Sequence, residues 1–388
     1  MMLENVAILD AVRTPIGKGM KGVFNRTRPE ELGAIALAEL IKRTGIKYET
    51  IDDVIFGCAM PEAEQGMNVS RIISLRAGLP VNISAATVNR FCSSGLHAVS
   101  DIAKSIEVGQ IGAGIGGGVE SMSLVPMGGH KPSANPYLME HMPNAYMSMG
   151  ITAEVVAERF NIDRARQDQF SLLSHQKACT AIKKGLFDSE IVAVKLPPDM
   201  PESNDTVMVR VDEGPRSDTT LSALSALKPV FKANGTVTAG NSSQVSDGAA
   251  AVMLMHKAQA QKAKSKIRGY FRAFVTAGVD PDIMGTGPVP AVRKLLSLTG
   301  LSLDSIGVFE LNEAFAAQAV YCIEELKLDP ALVNPMGGAI ALGHPLGCTG
   351  ARQVATILAH MEREKIRYGI CTMCIGGGMG AAGLIELA

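Results

Sequence analysis

The chain carries one short pattern twice, and that repeat limits its fold more than any other feature. Val88-Asn89 opens a turn, then a helix-like stretch, then the strand Ile115-Gly116-Gly117-Gly118. Val333-Asn334 opens the same series and ends at Ile375-Gly376-Gly377-Gly378. Upstream, IDDVIFGCAMPE near residue 50 is echoed by LDSIGVFELNEA near residue 304. Similarity at wide separation is the mark of one structural unit built twice. Chance likeness between glycine-rich strands is the alternative. The second copy spans 42 residues between these marks against 27 in the first. Much of the surplus is the loop GGAIALGHPLGCTG.

Around the repeat, short β-branched runs alternate with amphipathic stretches. Strands are expected at Val6–Leu9, Val54–Phe56, Ala113–Ile115, Val252–Met255, Gly307–Leu311 and Ile370–Met373. Helices are expected at Pro29–Thr44, Ser94–Val108, Ile151–Phe160, Arg164–Lys184, Val289–Leu298 and Gly350–Glu364. In Ser94–Val108, Leu96, Val99, Ile102, Ala103 and Ile106 recur at three-to-four spacing, which marks one buried face. The fold class is therefore α/β, with two related halves, each with its own sheet. Residues 1–120 with 242–265 form the first half and 266–388 the second. Residues 121–241 read as an insert, with Pro/Gly/His/Met-rich loops, two helices and the polar stretch PPDMPESNDTVMVRVDEGPRSD. Long insertions of this kind are often binding loops or lids.

Composition removes several functions. Lys plus Arg number 37 and Asp plus Glu 38, so no basic excess serves nucleic acid or anionic lipid. No apolar run reaches the ~18 residues of a membrane helix. The start, MMLENVAILDAVRTPIG, shows no signal or transit pattern, and the end, GLIELA, no peroxisomal Ser-Lys-Leu. Seven cysteines, an odd number, in such a chain imply free thiols in a reducing compartment.

Four segments hold groups suited to chemistry. In NRFCSSGLHAVS, Cys92 precedes a helix, and helix N-terminal N–H groups and dipole favour a thiolate. A small buried hydrophobe is the plainer reading of any single cysteine. In NPMGGAIALGHPLGCTG, His344 lies in a Gly/Pro-built loop before Pro345, which favours an extended backbone there. It is a candidate base. In CTMCIGGGMGAAG, Cys374 ends a strand, and three glycines and Gly380 follow. These can bring backbone N–H groups to a bound carbonyl. Cys371 and Cys374 form a CxxC, but an apolar strand with no second pair suits neither redox nor zinc chemistry. Residues three apart on a strand face opposite ways, which makes Cys371 a bystander. In FELNEAFAAQ, Asn312 and Glu313 follow a buried strand, as functional groups or as a plain helix N-cap.

Taken together and in order, these segments resemble the thiolase superfamily over essentially the whole chain. NRFCSSG is similar to its nucleophile motif, GHPLGCTGAR to its histidine motif, CIGGGMG to its second-cysteine motif and NEAFAAQ to its asparagine motif. TAGNSSQVSDGAAA, MGITAEVVAERF, GGVESMS and MGTGPVPA also match family segments. The resemblance implies two stacked βαβαβαββ halves with a loop domain inserted in the first. It implies that Cys92 carries the acyl group as a thioester and that His344 takes its proton. Cys374 would be acid/base at the acetyl α-carbon. Asn312 would fix a water that, with His344, forms one oxyanion hole, and the N–H groups of Cys92 and Gly376 would form the other. No permanent cofactor and no metal is implied; coenzyme A is co-substrate. Its contacts would be Arg216 toward the phosphorylated nucleotide end, Ser243 on the pantetheine, and Met149, Phe231, Met284 and Phe315 along the tunnel.

Within the superfamily the chain is most similar to 3-ketoacyl-CoA thiolases of fatty-acid β-oxidation, in the peroxisomal-type branch. The expected ligands are 3-ketoacyl-CoA, CoA and acetyl-CoA. Short-chain biosynthetic thiolases have a His where Ser148 stands, which weakens an acetoacetyl-CoA-specific reading. Non-catalytic acyl-binding relatives are a third reading, and retention of Cys92, His344, Cys374 and Asn312 speaks against it. Ketosynthases use one Cys with two His, so Cys374 speaks against them too. The absence of a targeting extension points to a bacterial-like cytoplasmic enzyme. The resemblance implies a homodimer or homotetramer, with Ile111–Met127 as a central strand and tight loop, and leaves open a partner in a β-oxidation complex.

Overall fold

The structure, a computed structural model, describes residues 2–196 and 207–388. Residues 197–206, within the polar stretch of the insert, lie outside the described residues. In the first half, β1 (Val6–Arg13), β2 (Gly17–Lys18), α1 (Pro29–Thr44), β3 (Asp53–Gly57), α2 (Val69–Arg76), β4 (Ser84–Val88), α3 (Ser94–Glu107) and β5 (Ala113–Ser121) follow in order. The insert adds α4 (Pro136–His141), α5 (Met149–Arg159), α6 (Arg164–Lys183), the ribbon β6 (Val194–Leu196) with β7 (Val207–Val209), and α7 (Leu221–Ser225). The chain returns with β8 (Ser246–His256), α8 (Lys257–Lys262) and β9 (Gly269–Gly278). It then runs through α9 (Pro288–Thr299), β10 (Val308–Leu311), α10 (Ala316–Leu326), α11 (Ala339–Leu342), α12 (Leu346–Glu364), β11 (Tyr368–Ile375) and β12 (Met379–Leu387).

The pairing repeats as the sequence does. In the first half β3–β5 is parallel, while β5–β8 and β8–β1 are antiparallel. In the second, β10–β11 is parallel, while β11–β12 and β12–β9 are antiparallel. Strand β4 pairs in parallel outside β3, and its counterpart shrinks to a single bridge from Phe309 to Val333. The turn asparagines also correspond. Asn89 Nδ2 holds the Ala59 carbonyl just past β3, at 3.0 Å. Asn334 Nδ2 and Oδ1 hold Leu311 at the end of β10 at 2.8 and 2.9 Å.

The sequence predicts one sheet for each half; the halves instead share a single continuous sheet. They join edge to edge where Ala7 and Ile8 of β1 pair with Tyr270 and Gly269 of β9. Both β1 and β9 are the inner edges of their halves, and an unpaired edge has free N–H and C=O groups that a short contact satisfies.

Helices α3 and α12 are equivalent in the repeat and form the middle layer. They pack on each other and on strands of both halves. Fifteen of the nineteen residues of α12 are buried, so it contacts protein on nearly every side. On the outer faces, α1 and α2 cover the first sheet and α9 covers the second. Leu96, Val99, Ile102, Val354, Ile357 and Leu358 fill the inner core.

Glycines allow α3 and α12 to cross closely. A Cβ on Gly95 would sit 2.6 Å from the Gly347 carbonyl oxygen, and one on Gly350 2.3 Å from the Leu96 nitrogen. On β5, a Cβ on Gly118 would lie 2.1 Å from the Gly347 oxygen and 2.9 Å from Cys348 Cα. These are backbone atoms of buried elements and have nowhere to move. Gly118→Ala is therefore expected to destabilise the fold by about 1–3 kcal/mol, read from urea unfolding. A change within a few tenths of a kcal/mol would mean that the crossing has slack.

Candidate active site

Cys92 lies in a one-turn 3-10 segment, Phe91–Ser93, directly before α3. Phe91 has φ 43, a left-handed conformation unusual for a side chain of its size. The neighbours enforce it. Asn89 Oδ1 accepts the Phe91 N–H at 2.8 Å, and Ser94 Oγ donates to the Phe91 carbonyl at 2.7 Å. This strained turn sets the direction of the next side chain. Cys92 is buried, and the backbone N–H groups of Gly376 and of Cys92 itself point to its sulfur.

A helix start favours a thiolate, but the surroundings of Cys92 act the other way. Burial outweighs the backbone donors and pushes the Cys92 thiol up to about 12. The helix dipole acts, but a dry site penalises the charged form more. Cys92 is thus a neutral thiol at neutral pH, and a nucleophilic role for it would call for a base.

The base candidate is His344, 4% exposed. Helix α12 starts at Leu346, a turn earlier than expected, so His344 and Pro345 stand at its N-terminus. Gly347 and Gly350 lower local helix propensity, and contact with α3 and β5 overrides that. The Thr349 hydroxyl donates to the Pro345 carbonyl at 2.9 Å and sits 2.6 Å from His344 Nδ1. Its one proton is committed, so Nδ1–H must donate to Thr349 Oγ1. Nε2 is then the unprotonated nitrogen, and Asn312 Nδ2 donates to it at 3.2 Å. Burial, and secondly the charge of Arg352, push His344 down to about 3, which keeps it neutral.

Asn312 is not a helix cap: α10 starts at Ala316, and the Asn312 side chain turns to His344. Its Oδ1 is buried with no hydrogen-bond partner. An unpaired buried acceptor is costly unless it serves a water or ligand. Glu313 is a strut, accepting from Ser174 Oγ at 2.7 Å, Asn334 Nδ2 at 2.8 Å and the Ile340 N–H at 3.2 Å.

Cys374 lies near the end of β11, before the turn through Gly377 and Gly378 at φ 78 and 87. Gly376 sits between the Phe91 ring and Met149 Sδ. Gly380 lies in β12, opposite Cys374 across the β11–β12 pair and packed against Gly287. Burial, then the nearby Cys92, hold the Cys374 thiol well above the ordinary range. Cys371 belongs to the inner core, on the other face of the strand. Among the described residues all seven cysteines are free, and no group of three or more His, Cys, Asp or Glu side chains could hold a metal ion.

Met149, Met284 and Phe315 pack with Cys374, Ala153 and Val237 in one apolar cluster. Phe231 meets Phe315 edge to face at 6.1 Å. Ser148, the exposed residue before α5, adjoins this cluster through Met149. Ser243 is half-buried, and its N–H donates to the Ala314 carbonyl at 2.9 Å. Arg216 lies apart, lining a cavity of about 240 Å³ with His175, Asp218 and Gln244. Gln244 joins the two places. Its Nε2 donates to the Gly214 carbonyl at 3.2 Å, and its own carbonyl accepts the His344 N–H at 3.3 Å.

Sequence reasoning missed Glu120, on β5. Its carboxylate accepts the Ala59 and Gly347 N–H groups at 2.7 Å each, and Gln65 Nε2 at 2.7 Å. It ties the segment after β3 to the first turn of α12, beside His344. The signal was there in GGVESMS, an acid in an otherwise apolar, glycine-rich strand.

Two thiols, a neutral imidazole and a row of backbone donors suit acyl transfer through a thioester, with separate handling of a carbon-bound proton. The comparisons agree with that class. The family model "Thiolase, N-terminal domain" matches residues 6–258, and "Thiolase, C-terminal domain" matches 265–387. A 3-ketoacyl-CoA thiolase of Bacillus subtilis (strain 168) is 49% identical, covering 99% of this chain and 100% of that one. Peroxisomal 3-ketoacyl-CoA thiolase A of Mus musculus is 46% identical, over 99% and 91%. The dimeric peroxisomal thiolase of Saccharomyces cerevisiae superposes with TM-score 0.92 at 43% identity, over 99% and 98%. The acetyl-CoA acetyltransferase of Bacillus anthracis gives TM-score 0.91 at 37% identity, with complete coverage of both chains. The chain belongs to the thiolase family.

Two outcomes follow from this geometry. A thiol whose pKa is raised is protonated below that value. Alkylation of Cys92 by iodoacetamide, mapped by peptide mass spectrometry, should therefore be slow at pH 7 and climb about tenfold per pH unit through pH 9. A plateau near pH 6–7 would show a preformed thiolate. Thr349→Val should leave Nδ1–H without its acceptor and free the ring to adopt the other tautomer. The expected loss is about 10–100-fold in kcat, from the ~1–3 kcal/mol of a buried unpaired donor, with the fold intact by circular dichroism.

Proposed function

We propose that this protein cleaves 3-ketoacyl-CoA with CoA to give acetyl-CoA and a shortened acyl-CoA, as an acetyl-CoA C-acyltransferase of fatty-acid β-oxidation. The observation that carries the reading is the pairing of two separate buried thiols, Cys92 and Cys374, with one neutral imidazole between helix and strand ends. Cys92, losing its proton to His344 Nε2, attacks the 3-keto carbon. The N–H groups of Cys92 and Gly376 receive the oxyanion, and one such donor is typically worth roughly 10²–10³ in rate. The C2–C3 bond breaks, and Cys374 gives its proton to the departing acetyl-CoA enolate. Asn312 Oδ1 holds a water whose other hydrogen faces the enolate oxygen, and His344 Nε2–H, which no longer accepts from Asn312 Nδ2 once protonated, donates to the same oxygen. The thiol of a second coenzyme A gives its proton to the Cys374 thiolate and attacks the thioester carbonyl; the acyl–sulfur bond to Cys92 breaks, and Cys92 takes back the proton held by His344.

Arg216, Ser243, Met149, Phe231, Met284 and Phe315 serve coenzyme A in this reading, from the nucleotide end inward to the tunnel. CoA is a co-substrate, and no permanently bound cofactor takes part. The protein acts as a homodimer. Support comes from β4, a sheet-edge strand that is only partly buried, flanked by Met67 and Val81 at 92% and 78% exposure. The expected central strand over Ile111–Met127 is β5, enclosed between β3 and β8 within the chain. Seven unpaired thiols suit a reducing, cytoplasmic setting. Among the described residues no helix is long and apolar enough to cross a membrane.

Kinetics against 3-ketoacyl-CoAs of rising length test the assignment. Six- to ten-carbon substrates should be cleaved at least as efficiently, by kcat/KM, as acetoacetyl-CoA, because Ser148 stands where a short-chain enzyme has a His. A preference of roughly 100-fold for acetoacetyl-CoA, about 2.7 kcal/mol, would restore the biosynthetic reading. Acyl-CoA binding without turnover would restore the non-catalytic one.

A further inference from the structure

The Arg216 cavity contains a histidine that the reaction described above does not use. His175, on α6, is 5% exposed and lines the cavity with Arg216, Asp218, Leu224 and Gln244. Its Nδ1 accepts the backbone N–H of Arg216 at 3.2 Å. An accepting nitrogen carries no proton, so the neutral ring has its hydrogen on Nε2. Among the described residues Nε2 has no protein partner. We propose that His175 is a positioning and contact residue for the nucleotide end of coenzyme A: Nδ1 holds the backbone that presents the Arg216 guanidinium, and Nε2–H donates to the bound phosphorylated ligand.

The surroundings support a neutral donor in that role. Burial, then the charge of Arg216, hold His175 down to about 4, with Lys18 acting the same way and Asp218 opposing. The imidazole therefore adds no charge at neutral pH, and Arg216 and Lys18 supply the attraction for phosphate. The position also couples to chemistry, since Gln244 joins the Gly214 backbone, two residues before Arg216, to the His344 N–H. The inference rests on the reading that Arg216 faces the nucleotide of CoA.

The test compares KM for CoA and for dephospho-CoA as the thiol substrate in wild type, Arg216→Ala, His175→Ala and His175→Asn. Asn offers an amide oxygen near the place of Nδ1 and nothing at Nε2. His175→Ala is expected to raise KM for CoA about tenfold, with kcat within about threefold. It should also bring the KM ratio of the two thiols close to one, as Arg216→Ala does. His175→Asn should keep the wild-type ratio while KM for CoA rises about threefold. If Arg216→Ala reduces the discrimination and His175→Ala does not, the inference is wrong and the Arg216 reading stands. If Arg216→Ala leaves it intact, that reading falls, and the inference falls with it. Should the alanine variant fail to fold, His175→Asn decides alone: a wild-type KM overturns the donor role, and a lost ratio overturns the positioning role.

Discussion

The site depends on backbone-to-backbone contact between the N-terminal turns of α3 and α12. Gly95 and Gly350 remove the Cβ atoms that would hold these turns apart, and Gly118 and Gly347 do the same between the α12 turn and β5. The turn carrying Cys92 precedes one helix and the loop carrying His344 precedes the other. Bringing the helix starts together brings the proposed nucleophile and base together. Because the halves repeat, each supplies an equivalent helix, and the crossing point falls between the two sheets.

Burial then governs the chemistry. A dry centre makes charge expensive, so Cys92 and Cys374 are neutral thiols and His344 a neutral base. Two buried arginines are held in ion pairs. Arg352 meets Glu310 at 2.9 Å, and Arg13 meets Glu190 and Asp212 at 2.5 and 2.7 Å. Breaking one side of such a pair leaves an uncompensated charge, which is costlier than the pair itself is stabilising. The first pair joins α12 to β10, and the second joins β1 to loops of the insert. Glu120 does the same with backbone N–H groups, its carboxylate lying at the start of α12, where a negative group is favoured. So dry a site suits the proposed reaction, in which protons move during attack and donors are already placed for the charge that forms.

Much of this was legible in the residues. The repeat predicted two equivalent α/β halves, and the strand pairing reproduces it down to the parallel and antiparallel order. Helix α1 coincides with the expected Pro29–Thr44, because Pro29 opens it and Gly45 closes it in a left-handed conformation. The strand period of two placed Cys371 and Cys374 on opposite faces. Local pattern fails where contact overrides propensity. Helix α12 starts a turn early because its glycines are needed against α3, and Asn312, which an N-cap would also have explained, lies four residues before α10 and turns to His344 instead.

The sequence by itself determined the elements, the repeat and the chemical groups, since periodicity and turn residues act over a few neighbours in the chain. Only the tertiary structure decided that the two sheets join through β1 and β9, that His175 faces Arg216, and that Glu120 ties Ala59 to Gly347. It also decided the protonation state of the site. A helix N-terminus lowers a thiol's pKa locally, while desolvation depends on everything packed around it. At Cys92 the surrounding protein outweighs the helix, and that balance exists only once residues hundreds apart in sequence have closed over the sulfur.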